Sequence, residues 1–207
     1  LTGTPVRSDG GHSIWLAYDD AGAISHPEEG TYTLTYGEAV ELGYCRPVTF
    51  HRHEGKFTVE LEGGESVHIS GENKAIIPNN LNSIKGLDKA LDFYRLAQTP
   101  QFEKDRITPL LDGYQATMIQ SGIEKLDEMR CRRPDAGGLV IATNIEMAEY
   151  MASLIEKIEG EKPMIVHSQM NNASSRIKAF RETDKRWLVS VAMVSEGVDI
   201  RRLRVLL

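Results

Sequence analysis

"GLVIATNIEMAEYMASLIEKIEGEKPMIVH", residues 138–167, is the stretch on which the fold turns. Its two ends, 138–142 and 164–167, are short continuous apolar runs. Between them Met147, Met151, Leu154, Ile155 and Ile158 recur at the spacing of one helical face. An alternating pattern would mark a strand with one wet side, whereas continuous runs mark strands buried on both. The spacing therefore predicts a strand, an amphipathic helix and a second strand parallel to the first.

The same alternation continues toward the carboxyl terminus. A short helix carrying Ile177 and Phe180 leads to "WLVSVA" (187–192), which runs into "MVSEGVDI" (193–200), and "RLRVLL" (202–207) opens a fourth strand. The fold class expected is α/β, a parallel sheet covered by helices on both faces. Toward the amino terminus the character changes. "RPVTFHR" (46–52) and "FTVEL" (57–61) alternate apolar with polar residues across "HEGK" (53–56), which predicts a hairpin, and "SVHIS" (66–70) after "EGGE" could add a third strand. Ile84, Leu87, Leu91 and Tyr94 predict one helix. Leu110, Leu111, Tyr114 and Met118 predict a second, starting near Thr108 with Pro109 in its first turn and running to about Cys131 despite Gly113 and Gly122. "RPDAGG" ends it. Residues 12–37 show little periodicity, and "YDDAGAISHPEEG" (18–30) reads as a surface connection.

The bulk properties bound the function. The 207 residues, 41% hydrophobic, suffice for one large or two small domains. A net charge of -6 argues against a wholly basic nucleic-acid wrapper, but the last thirty or so residues are locally basic. Cys45 and Cys131 stand far apart with no C-x-x-C spacing, so neither a disulfide framework nor a zinc module is expected, and a reduced, cytoplasmic setting is the simplest reading. No apolar run approaches the roughly 20 residues of a membrane helix, and no leader pattern precedes the first motif, so no membrane partner is expected.

In an open parallel sheet, ligands sit beyond the carboxyl ends of the strands. The residues placed there are Thr143 and Asn144, Ser168 and Gln169, and Met193 to Asp199. Thr143 to Glu146 fits a capping box, and a helix start with free amides also receives phosphate. Gly197 permits close backbone approach, and Asp199 offers a carboxylate for a ribose hydroxyl, although a Gly-x-Asp turn after a strand also serves as nothing more than a turn. Cys45, His51 and His53 are of metal-binding type. Lacking a fourth ligand of suitable spacing, they read as polar residues of an exposed hairpin. "RCRR" (130–133) suits either nucleic acid or the negative end of a helix dipole, with the dipole reading favoured.

Taken in order, "LTGTPVRSDG" (1–10), "GGLVIATN" (137–144), "MIVHSQMNNASSRIKAF" (164–180) and "RWLVSVAMVSEGVDI" (186–200) resemble the later motifs of superfamily two helicases and translocases of the DEAD/DEAH-box-like kind. The flavour is that of DNA motors related to type I and type III restriction subunits and to phage or defence helicases. The resemblance implies RecA-like domains. Residues 1–10 would end the first, 11–43 connect, 44–133 begin the second with a β-hairpin and helical insertion, and 134–207 form most of it, incomplete at both ends of the chain. Thr2, Gly3, Thr4 and Arg7, with Pro5 and Asp9, would couple ATP hydrolysis to nucleic-acid binding. Thr143, Asn144, Ser168, Ser195 and Glu196 would face nucleic acid, Gly197 and Asp199 the nucleotide, and His167, Arg176 and Phe180 would frame the helix after the second strand.

Departures accompany the likeness. Val191 stands where many relatives carry a Thr that touches phosphate, and Arg201 where Pro is frequent. Two glycines five apart followed by Lys and a hydroxyl residue, the P-loop that cradles phosphates, do not occur, since Gly55-Lys56 lacks both the earlier Gly and the hydroxyl. A D-E-x-D or D-E-x-H box and the final arginine motif are also absent, so no catalytic residue is assigned. The resemblance thus implies ATP and Mg2+ in a full-length parent, none held tightly by this chain alone. Its implied partners are nucleic acid, DNA ahead of RNA, and the missing first RecA-like domain. The alternatives are a non-catalytic nucleic-acid-binding or interaction module of RecA-like fold and, more remotely, half of a two-domain glycosyltransferase, in which "TGTP" has no place.

Overall fold

The computed structural model describes residues 18–21, 34–61, 64, 66–71, 77, 84–191 and 199–207. The chain divides into two compact units, 1–51 and 52–207. In the first, α1 (Tyr36–Glu41) forms because Thr35 and Glu38 make a capping box. The Thr35 hydroxyl accepts from the Glu38 amide at 3.3 Å, and the Glu38 carboxylate accepts from the Thr35 amide at 2.9 Å. Two otherwise orphaned donors are thereby satisfied. Val48 and Phe50, expected on a strand, are 61% and 92% exposed, and 46–52 forms no strand. Among the described residues no sheet partner covers their apolar side.

In the second unit the hairpin instead pairs β1 (Lys56–Glu60) with β2 (Ser66–Ser70), antiparallel, with Phe57 opposite Ile69 and Val59 opposite Val67. Burial selects this register. Phe57, Val67 and Ile69 pack with Leu91, while Lys56, Thr58, Glu60, Ser66 and His68 face outward. Gly55 permits close approach of another element, since a Cβ there would lie 2.2 Å from Cδ2 of Tyr114.

The helix expected through Ile84, Leu87, Leu91 and Tyr94 is two short ones, α2 (Leu87–Ala90) and α3 (Phe93–Ala97). Asp92 breaks it, because its carboxylate accepts from the Arg95 amide at 3.0 Å and starts a new helix inside the apolar stripe. Likewise α4 (Tyr114–Arg132) begins six residues beyond Thr108. Asp105 takes the amides of Ile107 and Thr108 at 2.9 and 2.8 Å, and Pro109 bridges to Phe102, so this stretch is committed to a loop. Gly122 within α4 has a packing reason, since a Cβ there would stand 2.6 Å from Leu207.

The remaining elements are β3 (Gly137–Ile141), α5 (Ile145–Glu159), β4 (Met164–Val166), α6 (Ala173–Glu182), β5 (Trp187–Ser190) and β6 (Leu203–Leu206). The four strands form one parallel sheet in the order β4-β5-β3-β6. This is the α/β architecture expected from the alternation. Val140, Trp187 and Val189 are buried with Ile119 and Leu126 of α4 and with Met147, Met151, Leu154 and Ile155 of α5. Leu139, Val166 and Leu188 form a second cluster with Ile177 and Phe180 of α6 and with Ile200. The helical stripe read from the sequence is thus the buried face of α5, which stops at Gly160 in the left-handed region (φ 76°). Gly138 lets the indole of Trp187 lie on the neighbouring strand, since a Cβ would meet Cζ3 at 2.2 Å.

Candidate functional site

Backbone bonds bring the carboxyl ends of three strands level. The Ala142 amide donates to Ser190 O at 2.9 Å and the Val191 amide to Val166 O at 3.1 Å. Thr143 and Asn144 therefore leave the sheet along the same edge as His167 and Ser168. The helix cap differs from the expected box by one residue. Asn144 is the N-cap of α5, its side-chain oxygen accepting from the Met147 amide at 2.8 Å, because its extended backbone (φ -152°, ψ 176°) aims the short amide at that donor. Thr143 is left exposed, with no hydrogen bond among the described residues, and Ser168 is also exposed. Beneath this rim, His167 Nδ1 and Ser190 Oγ are buried and find no partner among the described residues.

Other residues expected at the site have structural duties. Arg176 donates to Ile165 O at 3.0 Å, covering a backbone acceptor of strand β4 at the sheet border. Phe180 is fully buried under the guanidinium of Arg202, whose Cζ lies 3.9 Å from the ring centroid. Asp199 is exposed and meets Arg201 Nε at 3.4 Å. Ile200 beside it is buried, and Leu203 pairs with Gly137 at the start of β3, so no described contact joins Asp199 to Thr143, Asn144 or Ser168. Thr2, Gly3, Thr4, Pro5, Arg7, Asp9, Ser195, Glu196 and Gly197 lie outside the described residues. His53 bonds Thr117 Oγ1 at 3.2 Å and stacks obliquely on Tyr114, while Cys45 and His51 are exposed.

Sequence reasoning missed a set of arginines at the opposite edge. Arg202 is buried, donating to Phe180 O and Asp135 O at 2.8 Å and to Lys185 O. Burial, followed by the charge of Arg130, lowers its pKa, against the pull of Asp135 and Asp184. Arg130, first read as complementing the helix dipole, also donates to Ala136 O at 2.6 Å. Arg186 holds Glu159 and Asp127 at 2.8 and 2.6 Å. Burial works against its charge, and the two carboxylates outweigh it, raising its pKa. Nothing in the pair Arg201-Arg202 distinguishes the exposed member from the buried one by spacing.

Among the described residues no group of three or more His, Cys, Asp and Glu could hold a metal ion, and no helix is long and apolar enough to cross a membrane.

No family model matches the chain. It is 32% identical over 206 residues to an uncharacterized protein of Mycobacterium leprae, and equally to uncharacterized proteins of two strains of Mycobacterium tuberculosis. Each match takes in 99% of this chain and 31% of the relative, so the chain spans about a third of the length of the curated relatives it matches. Among solved structures, domain 2 of the Mss116p DEAD-box helicase bound to an RNA duplex aligns at 16% identity and a TM-score of 0.35, over 44% of this chain and 38% of that one. The Pyrococcus furiosus Hef helicase domain aligns at 17% identity and a TM-score of 0.37, over 61% of this chain and 24% of that one.

Proposed function

We propose that this chain is part of an ATP-dependent nucleic-acid helicase or translocase and supplies the nucleic-acid-facing and nucleotide-facing surface of its second RecA-like domain. The observation that carries the reading is that the parallel sheet gathers Thr143, Asn144, His167 and Ser168, from two separate motif-like segments, along one carboxyl-terminal edge. A sheet of this kind receives ligands there. Exposed Thr143 and Ser168 hydroxyls can donate to phosphate oxygens, a contact that positions a nucleic-acid strand without reading its sequence.

On this reading Ser195 and Glu196 extend the nucleic-acid surface, Gly197 and Asp199 face the nucleotide, and Thr2, Gly3, Thr4 and Arg7 couple the two. ATP and Mg2+ belong to a P-loop-bearing domain outside these 207 residues. The test is the ATPase rate of the complete gene product with and without DNA or RNA. Nucleic acid should raise the rate several-fold, DNA more than RNA. A gene product whose ATPase ignores nucleic acid refutes the proposal, and binding with no ATPase at all returns the non-catalytic binding module instead.

A further inference from the structure

We propose that a groove along strand β4 is a docking site for an acidic, partly apolar segment of a partner protein, whose carboxylates meet Arg176 and Lys162. The inference does not rest on the nucleic-acid reading, whose residues stand beyond the carboxyl ends of the strands.

Strand β4 ends the order β4-β5-β3-β6, so among the described residues it is paired on one side only. Against it lies a shallow groove of about 380 Å³, lined by Lys162, Pro163, Met164, Ile165, Arg176 and Lys185. Lys162 and Pro163 precede β4 and Lys185 precedes β5, which puts the groove toward the amino-terminal ends of these strands. Met164 and Ile165 are only half-buried there. They offer apolar surface that an aliphatic group of a ligand gains by covering.

The charges along the groove have one sign. Its three charged lining residues are all cations, and no carboxylate lines it. The nearby acids are committed elsewhere: Glu161 holds Lys185 at 2.6 Å, Glu159 is bound by Arg186, and the charge of Asp184 acts on Arg202. Arg176 and Lys162 form no ion pair among the described residues. The Arg176 guanidinium is nevertheless held in place, because its Nη1 donates to Ile165 O at 3.0 Å while its other N–H groups find no partner among the described residues. A planar fork fixed at one corner loses little freedom when a carboxylate takes the remaining donors. The same bond occupies a carbonyl at the sheet border, so simple addition of another strand is blunted there and recognition falls to side chains.

The lining favours a peptide over a nucleic acid. It contains no Phe, Tyr or Trp on which a base could stack, and only two cations free of a carboxylate to meet a run of phosphates.

The experiment measures fluorescence anisotropy on the complete gene product with three labelled probes: a decapeptide alternating Asp and Leu, its Asn and Leu counterpart, and single-stranded oligothymidine. The Asp probe should bind roughly 10-fold more tightly than the Asn probe. Lys162→Glu should weaken the Asp probe by roughly 10-fold with no change in melting temperature, since Lys162 is exposed. Arg176→Gln keeps an N–H for Ile165 O while removing the charge, and should weaken the Asp probe to a similar degree. Lys178→Glu makes the same charge change on an exposed residue of α6 outside the groove, and should leave affinity within about 2-fold. Equal affinity for the Asp and Asn probes, or equal losses from Lys178→Glu and Lys162→Glu, overturns the proposal. So does oligothymidine binding that Lys162→Glu abolishes while the Asp probe is retained, which would assign the groove to nucleic acid.

Discussion

Replacing Arg202 by Met keeps an unbranched stem of similar length and removes the guanidinium. Three backbone acceptors then lose a charged donor: Phe180 O and Asp135 O, each at 2.8 Å, and Lys185 O. Hydrogen bonds to a charged group contribute about 1.5–3 kcal/mol each, and a cation over an aromatic ring about 0.5–2 kcal/mol. Their sum overstates the loss, because Met no longer has a buried charge to desolvate. A net destabilisation of about 3 kcal/mol follows. With a urea dependence near 2 kcal/mol per molar, the unfolding midpoint should fall by roughly 1.5 M, read by far-ultraviolet circular dichroism. Arg201→Met is the internal control. Its side chain is 94% exposed, and its change should stay within about 0.5 kcal/mol. Equal midpoints for the two variants would refute the idea that the Arg202 bonds hold this edge of the sheet.

Two further outcomes follow from packing and titration. Gly138→Ala would set a methyl 2.2 Å from Cζ3 of the buried Trp187, which has no room to retreat, so the protein should lose about 1–3 kcal/mol and its near-ultraviolet indole signal should change; an unchanged melting temperature counts against the close contact. Asp105 is held down to about 2 by the Thr108 hydroxyl and then by the amides of Ile107 and Thr108. A carboxyl with a lowered folded-state pKa stabilises the structure fully above its unfolded value near 3.9 and loses that contribution as pH falls toward 2. The Ile107 and Thr108 amide resonances should therefore hold still from neutrality to about pH 4 and move below it; a shift centred near pH 4 contradicts the bonded carboxylate.

What could be read in advance followed from periodicity, and what could not depended on partners. The α/β core was legible because burial on both faces leaves a continuous apolar run at Leu139, Val140 and Leu188, Val189, and a helix covering it must show Met147, Met151 and Leu154 on one side. The hairpin was misplaced because Val48, Phe50 and Phe57, Val59 carry the same alternation. Only the packing of Phe57 with Ile69 and Leu91 decides which pair is a strand. The two helix starts were misjudged for a shared reason: Asp92 and Asp105 bond nearby amides and override an apolar stripe that ignores them. The position of Thr143 and Ser168 just beyond strand ends could be read from the sequence, whereas the exposure of Thr143 needed the cap to be seen on Asn144.

The two edges of the sheet use their polar groups differently. At the amino-terminal edge, Arg130, Arg186 and Arg202 are spent on carbonyls and carboxylates of the chain itself, the indole Nε1 of Trp187 being an unpartnered exception. At the carboxyl-terminal edge, Ser190 Oγ and His167 Nδ1 are buried without a described partner, and the Thr143 and Ser168 hydroxyls stand open. The basic residues near the chain's end, which invite a nucleic-acid reading by composition, are largely the wrong ones for it, because Arg202 and Arg186 are already engaged. On the proposed reading a phosphate backbone meets the exposed Thr143 and Ser168 hydroxyls at the carboxyl-terminal edge, which makes the weak-looking Thr143 a better place to probe binding than the conspicuous arginines.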